Sequence, residues 1–343
     1  MKRIKKIFLV INVLVVIATL LAYLSPQIHP AKSILPSLMS LAFPILIGLN
    51  VACIILWLFA RSYYALFSIV VLVLGWKAIM GFVNFSASAG PEQTDISLAT
   101  LNLHQMSTLS PDWRPDASEV KDLMKQLGTP DIICLQESGD IEAYSNHLSY
   151  RYIERLSGAP TAILSKYPII RHETIDMSPN QSYSGSFDIE VNGSIIRVYS
   201  LYLASNKITV ESERLMEEGN FQNKENWRDA LGVLRRYIRQ TRVRAEQVEV
   251  IKASIASSPH PVIVCGDFND VPLSYTSSQL TSLLSDSFVQ KGFGIGATYA
   301  GKLPGLRIDY ILADENFTIT EHEILNINVS DHYPVKAWVR LVE

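Results

Sequence analysis

The first acidic residue of this chain is Glu92: from Met1 to Pro91 there is no aspartate or glutamate, and the only basic residues are Lys2, Arg3, Lys5, Lys6, Lys32, Arg61 and Lys77. That stretch is a different material from the rest. It holds three apolar runs, Ile7 to Leu24, Ile34 to Phe59, and Tyr63 to about Phe85. Each approaches or exceeds the roughly 20 residues that carry a helix across a bilayer's hydrocarbon core. Three transmembrane helices are predicted.

The cluster Lys2, Arg3, Lys5 and Lys6 is expected to stay cytoplasmic, and Arg61, in the short turn between the second and third runs, fits the same side. Three crossings then place everything downstream outside the cytoplasm, in a multi-pass protein of a bacterial inner membrane. A cleaved signal peptide is the alternative for the first run, but YLSPQIHPAKS follows it in place of a small-residue cleavage site. Lys77 reads as a residue near a helix end that snorkels to the interface. The expected division is a membrane segment over 1–88, a linker over 89–95 and a catalytic domain over 96–343.

All 33 acidic residues lie beyond Pro91, and only 23 of the 30 basic ones do, so the downstream part carries a net charge of −10 with histidine neutral. Affinity for long nucleic acids comes largely from lysine and arginine neutralising phosphates, and this balance argues against it. Cys53 sits in an apolar run, Cys134 in IICL and Cys265 in VIVC, which predicts buried free thiols.

From Ile96 onward short apolar runs recur: ISLATLNL, DIICLQE, TAILSKYPII, SIIRVYSLYL, PVIVCGDFN, RIDYILAD and YPVKAWVRL. These predict strands, several of them buried on both faces. Between Asp116 and Leu127 the positions Val120, Leu123, Met124 and Leu127 share a helical face, with Asp116 and Glu119 at capping-box spacing and Gly128 as a stop. A longer helix is predicted from about Trp227 to Ser257. Its Arg235, Arg236, Arg239, Arg242 and Arg244 are expected on a solvated face paired with nearby glutamates, with contact to substrate phosphate as the alternative.

Polar residues interrupt the strands in a telling way. Asn102 follows LATL, Glu137 closes IICLQ, Asp267 and Asn269 close VIVCG, Asp309 lies in RIDYI, and Asp331 and His332 precede Tyr333 and Pro334. Hydrolysis of a phosphate ester needs charge neutralisation, an oriented water and a proton carrier. Hard oxygen donors such as Glu137 and Asp331 suit Mg²⁺. Asn102 and Asn269 can hold ligands or phosphate oxygens without adding charge. His332 titrates near neutrality by type, and Asp309 could orient its ring. No Cys/His zinc spacing and no glycine-rich phosphate loop competes.

In this order, LNLHQM, PDIICLQES, VIVCGDFNDVP, GLRIDYIL and SDHYPV resemble the endonuclease/exonuclease/phosphatase superfamily over nearly all of Ile96 to Val342. The resemblance implies an α/β fold, a two-sheet sandwich flanked by helices, with one site at the sheet edge. It implies Glu137 as the main metal ligand with Asn102 beside it, and Asp331 supporting metal or water. Asp267 would position or activate the water, Asn269 would contact phosphate, and His332, oriented by Asp309, would transfer a proton or stabilise the transition state. Mg²⁺, or Mn²⁺ in its place, is the implied cofactor.

One position departs from that pattern. Where many relatives carry histidine in an NxHL-like strand, this chain has SLYL, which places Tyr202 there. The abasic-site endonuclease branch uses tyrosine near this point, and a phenol can donate a hydrogen bond to phosphate, although the following LAS does not resemble that branch.

The expected function is a membrane-anchored, divalent-metal-dependent hydrolase of phosphoester bonds, phosphodiesters first. Its substrate would be lipid-borne or small, and its partner the bilayer. Two alternatives stand: a catalytically silent membrane protein that binds a phosphorylated ligand, and an extracytoplasmic nuclease.

Overall fold

The computed structural model describes residues 2–87, 90–104, 117–139, 148–156, 161–177, 184–206, 224–301, 305–327 and 330–342. It opens with helices α1 (Lys2–Tyr23), α2 (Leu35–Leu41), α3 (Phe43–Phe59), α4 (Ala65–Leu74) and α5 (Trp76–Met80). Then follow β1 (Val83–Phe85), β2 (Ile96–Asn102), α6 (Ala117–Leu127), β3 (Ile132–Gln136), β4 (Tyr152–Arg155), β5 (Ala162–Ser165) and β6 (Ile169–Thr174). The chain continues through β7 (Gly185–Val191), β8 (Ser194–Tyr202), α7 (Lys224–Ala256), β9 (Val262–Asp267), α8 (Tyr275–Thr281) and β10 (Ser285–Asp286). It ends with α9 (Ser287–Lys291), β11 (Phe293–Ile295), β12 (Asp309–Ala313), β13 (Phe317–Ile324) and β14 (Val335–Leu341).

The three expected membrane-length helices are corrected to one. Among the described residues, α1 alone is a continuous helix long and apolar enough to cross a membrane. The second run is broken between α2 and α3, whose axes bend by 71°. Proline lies in the first turn of α3, and Pro44 can neither donate a backbone hydrogen bond nor let the preceding turn continue. The third run yields the ten-residue α4, about 15 Å long and half a hydrocarbon core. It stops at Gly75, where Tyr23 of α1 packs so closely that a Cβ would lie 1.8 Å from its hydroxyl oxygen. Hydrogen bonds from Asn12 to Ser68 (2.7 Å), Trp57 to Asn12 (3.0 Å) and Asn50 to Thr19 (2.8 Å) tie α1, α3 and α4 together. Their outward faces remain apolar: Ile4, Ile7, Leu58, Phe59, Val73 and Leu74 are all exposed.

Beyond this unit, two six-stranded sheets stack face to face. One has the order β13-β14-β2-β3-β5-β4 and the other β10-β12-β9-β8-β7-β6. Each is built around a single parallel pair, β2 with β3 and β8 with β9, flanked by antiparallel neighbours. Leu98, Cys134, Ile163, Phe187, Val198, Ile263, Cys265 and Ile311 fill the space between the sheets. Residues one step along the same strands face the other way. Ala99, Leu101 and Leu135 pack on α6, while Tyr199, Leu201 and Val264 pack on Val248 and Ile251 of α7 and Leu280 of α8. Strands covered on both faces have no solvent side, which is why they read as unbroken apolar runs. All three cysteines are free and buried, as expected.

Helix α6 stops before Gly128, which adopts φ 70°. Its expected capping residue Asp116 lies outside the described residues. A two-stranded ribbon, β1 with β11, joins the apolar unit to the sandwich. Arg307 reinforces that junction by donating from Nε to the Gly81 carbonyl (2.9 Å) and from Nη2 to Asp286 (2.6 Å).

Candidate active site

Strand polarity brings the site together. The parallel pairs β2/β3 and β8/β9 end on the same rim, and Asn102, Glu137, Tyr202 and Asp267 stand at or just past those ends. In register, Asp267 is flanked by Tyr202 on β8 and by Asp309, the first residue of the antiparallel β12. Asp331 and His332 precede β14, which runs antiparallel to β2 and so begins at the same rim.

Asn102 bridges the sheets. Its Nδ2 donates to Glu137 Oε1 (3.2 Å) in one and to Asp267 Oδ2 (3.0 Å) in the other, while its Oδ1 accepts from the His104 amide (2.9 Å). Asn269 holds the same aspartate through its backbone amide (2.7 Å) and its Nδ2 (3.0 Å), and that Nδ2 also donates to the Leu203 carbonyl (3.2 Å). Both amide hydrogens of Asn269 are therefore directed at protein acceptors. The Tyr202 hydroxyl donates to Glu137 Oε1 at 2.6 Å. Burial, with Glu137 and Asp267 nearby, pushes this phenol far above its ordinary range and keeps it neutral.

His332 forms the second half of the site. Its Nδ1 lies 2.9 Å from Asp309 Oδ2, and its Nε2 lies 3.9 Å from Asp267 Oδ2. Tyr299 packs edge-on against the ring, with centroids 5.9 Å apart. Ser330 fixes the turn, accepting from the His332 amide (2.9 Å) and donating to the Asn102 carbonyl (2.6 Å). Burial alone would favour the neutral ring, but the negative charge of Asp309 and Asp267 outweighs it and holds the His332 pKa above the usual histidine range. Asp267 moves upward too, mainly through burial, against the pull of His332 and of the Asn102 and Asn269 hydrogen bonds.

Three side chains of the rim sit on left-handed backbone: His104 (φ 42°), Glu137 (φ 48°) and Asn269 (φ 52°). For a residue with a Cβ this conformation costs roughly 1–2 kcal/mol, and such strain gathers at functional sites. Beside the site, glycine is required at Gly266 (φ 149°), where a Cβ would sit 2.1 Å from the Leu201 carbonyl oxygen. That close approach of β9 to β8 sets the position of Asp267.

All eight residues expected from the sequence thus lie at one rim. Seven of them line a cleft of about 550 Å³; Asp309 stands behind His332 and does not reach the cleft surface. Asp267, Asp309 and His332 offer ligand atoms within 4.8 Å of one another. His104 escaped the sequence reading. Its Nδ1 lies 3.1 Å from Asp331 Oδ1, a pairing that raises the His104 pKa against the opposing effect of burial. The residue falls in a turn, and its partner lies on the far side of the sequence, so no local pattern marks it. Arg244 also departs from expectation. In place of a solvated face it is buried, donating to Asp270 (3.2 Å), the Ala204 carbonyl (2.9 Å) and Asn206 (2.7 Å) behind the site.

The sequence matches the Endonuclease/Exonuclease/phosphatase family over residues 99–332. The chain belongs to that family, a class of hydrolases acting on phosphoester bonds. Residues 5–82 match a separate domain of unknown function. No curated protein matches the chain. Among solved structures, a humanised TDP2 of D. rerio is 17% identical with a TM-score of 0.54, covering 72% of this chain and 100% of that one. D. rerio TDP2 complexed with a single-strand DNA product gives 17% and 0.51, with coverage of 72% and 100%. A family protein from Bacteroides thetaiotaomicron gives 16% and 0.51, with coverage of 72% and 95%. At these identities the likeness is one of fold.

Proposed function

We propose that this chain is a divalent-metal-dependent hydrolase of phosphodiester bonds, tethered to a membrane by α1. The observation that carries the reading is the Asn102 carboxamide, which locks Glu137 and Asp267 together on a rim where Asp267 also faces a charged His332. The chemistry of the donors fits a hard cation. Among the described residues Glu137 makes no ion pair, and its carboxylate meets the neutral donors Tyr202 and Asn102. Glu137, Asn102 and Asp331 would hold the ion, with Tyr202 and His104 fixing the two carboxylates. A bound Mg²⁺, or Mn²⁺ in its place, supplies charge neutralisation at the phosphoryl oxygens.

The protein's own groups divide the remaining work. Asp267, gripped by Asn102 and Asn269, orients the attacking water and accepts its proton, a role suited to a carboxylate whose pKa burial has raised toward neutrality. His332, kept protonated by Asp309, donates to the phosphoryl oxygen as charge builds there. Water attacks phosphorus in line, the bond to the leaving alcohol oxygen breaks, and the proton taken from water ends on that oxygen.

For the anchor, Lys2, Arg3, Lys5 and Lys6 lie at the start of α1 and favour the cytoplasm, so the sandwich stands on the opposite face. The acidic balance of residues 92–343 favours small or lipid-borne substrates over long nucleic acid. The test is turnover of bis-p-nitrophenyl phosphate, sphingomyelin and single-stranded DNA by the full-length chain, with Mg²⁺, Mn²⁺ or a chelator. Turnover of at least one, lost with the chelator, is expected. A folded protein inert toward all three under every condition overturns the reading.

A further inference from the structure

The cleft is not walled by the sandwich alone. Leu38 and Leu41, three residues apart on α2, enter its lining from the N-terminal unit. Opposite in sequence, α7 contributes Ala230, Val233, Leu234 and Tyr237, at the i, i+3, i+4, i+7 spacing of a single helix face. This explains the unusual length of α7, 33 residues. Its second half packs Val248, Ile251 and Ile255 on the second sheet, and its first half, freed from that duty, turns an apolar face to the cleft.

The two helices are fixed to each other and to the site. The Tyr237 hydroxyl donates to the Ser37 carbonyl on α2 at 3.2 Å. Phe43, Leu46 and Phe82 of the N-terminal unit share a buried cluster with Val271 and Leu273, just past the Asp267 to Asp270 turn. Leu306 joins this apolar wall next to the catalytic rim. Leu38 and Leu41 of the wall belong to the same N-terminal unit as the outward apolar faces of α1, α3 and α4. Such a wall gains free energy when a ligand brings apolar surface of its own to bury against it, which a fully hydrated phosphoester does not offer.

Resting on the phosphoesterase reading above, we propose that the substrate is an amphiphile, a phosphoester bearing a long hydrocarbon chain. The phosphate lies at Asn102, Glu137, Asp267 and His332, and the chain lies against Leu38, Leu41, Val233, Leu234, Tyr237 and Leu306. The bond broken is the P–O bond to the leaving alcohol; water supplies the hydroxyl to phosphorus and a proton to the alcohol. The bilayer is the source of the substrate, since α2 follows the membrane-length α1 in the chain and meets α7 at the Tyr237–Ser37 hydrogen bond on the cleft wall.

The experiment uses the full-length chain in lipid nanodiscs, with methyl p-nitrophenyl phosphate and dodecyl p-nitrophenyl phosphate as matched substrates below the micellar concentration of the latter. The readout is the ratio of their kcat/KM values. The dodecyl ester is expected to be preferred by roughly tenfold or more, as for a few methylenes recognised by an apolar pocket. In Leu38→Ser/Val233→Ser the ratio is expected to fall toward one, and because each protein is its own reference, a general loss of folding leaves the ratio unmoved. Equal turnover of the two esters by the wild type, or an unchanged ratio in the variant, overturns the amphiphile while leaving a phosphoesterase. No turnover of either ester overturns the amphiphile, and a folded protein also inert toward bis-p-nitrophenyl phosphate, sphingomyelin and single-stranded DNA overturns the phosphoesterase reading as well.

Discussion

At the residue level, the site is a set of groups whose protonation is set by their neighbours. Asp309 contributes both a hydrogen bond and a negative charge to His332. As the proposed base, Asp267 has to be ionised, so the rate is expected to be lost as pH falls through its raised pKa. As the proposed acid, His332 has to keep its proton, so the rate is expected to be lost as pH rises through its own raised value. A bell-shaped kcat/KM profile follows, with an acid limb shifted toward neutrality and an alkaline limb above the usual histidine range. Asp309→Asn is expected to move the alkaline limb to lower pH and leave the acid limb within a few tenths of a unit or shift it slightly down. A pH profile of p-nitrophenol release measures this, and an alkaline limb that stays in place contradicts the role given to Asp309.

The same residues were the most readable part of the sequence. Asn102, Glu137, Asp267 and Asp309 each interrupt or end a run that is otherwise apolar, and a polar group at such a point is costly unless it has work to do. Their partners carried no such mark. Ser330, Thr298 and Tyr299 support the site through backbone and ring contacts that a sequence pattern does not encode.

Among the elements, strands β7, β4 and β13 escaped the sequence reading, each for a physical reason. Strand β7 is nearly all buried, yet its pattern is broken by Asp188, whose carboxylate meets Arg197 of β8 at 2.6 Å and 2.8 Å. A buried ion pair thus disguises a core strand as a polar loop. Strands β4 and β13 are sheet edges, and their exposed faces carry Arg155 and Glu323. Helix α7 was located within a few residues, but the burial of Arg244 follows from a tertiary partner, Asp270, that local spacing does not reveal. Breaking a buried pair leaves one charge uncompensated, at a cost of about 3–5 kcal/mol. Arg244→Met is therefore expected to lower unfolding stability by about that amount, whereas Arg239→Ala on the exposed face of the same helix costs at most about 0.5 kcal/mol. Denaturant unfolding of the two variants decides it. Equal stabilities contradict the assignment of Arg244 as the clamp behind the Asp270 turn.

For the whole molecule, composition separates an apolar N-terminal stretch from an acidic remainder, and in the structure that stretch forms α1 to α5 and β1. Composition reports how apolar a run is; it does not report where Pro44 breaks a helix or where Tyr23 presses on Gly75. The two parts are joined by the β1–β11 ribbon, by Arg307 and by the cluster around Val271. A polar rim built from strand ends thereby shares one cleft with apolar side chains of α2 and α7. Glu137 is the carboxylate that ties Tyr202 and Asn102 to the proposed cation site. The most direct measurement is a Mg²⁺ titration of bis-p-nitrophenyl phosphate hydrolysis by the wild type and Glu137→Gln, with folding of both checked by thermal unfolding. Saturable Mg²⁺ activation is expected in the wild type, with a loss of about 10²–10³-fold in kcat in the variant. Equal Mg²⁺-activated rates from two equally folded proteins would contradict that role for Glu137.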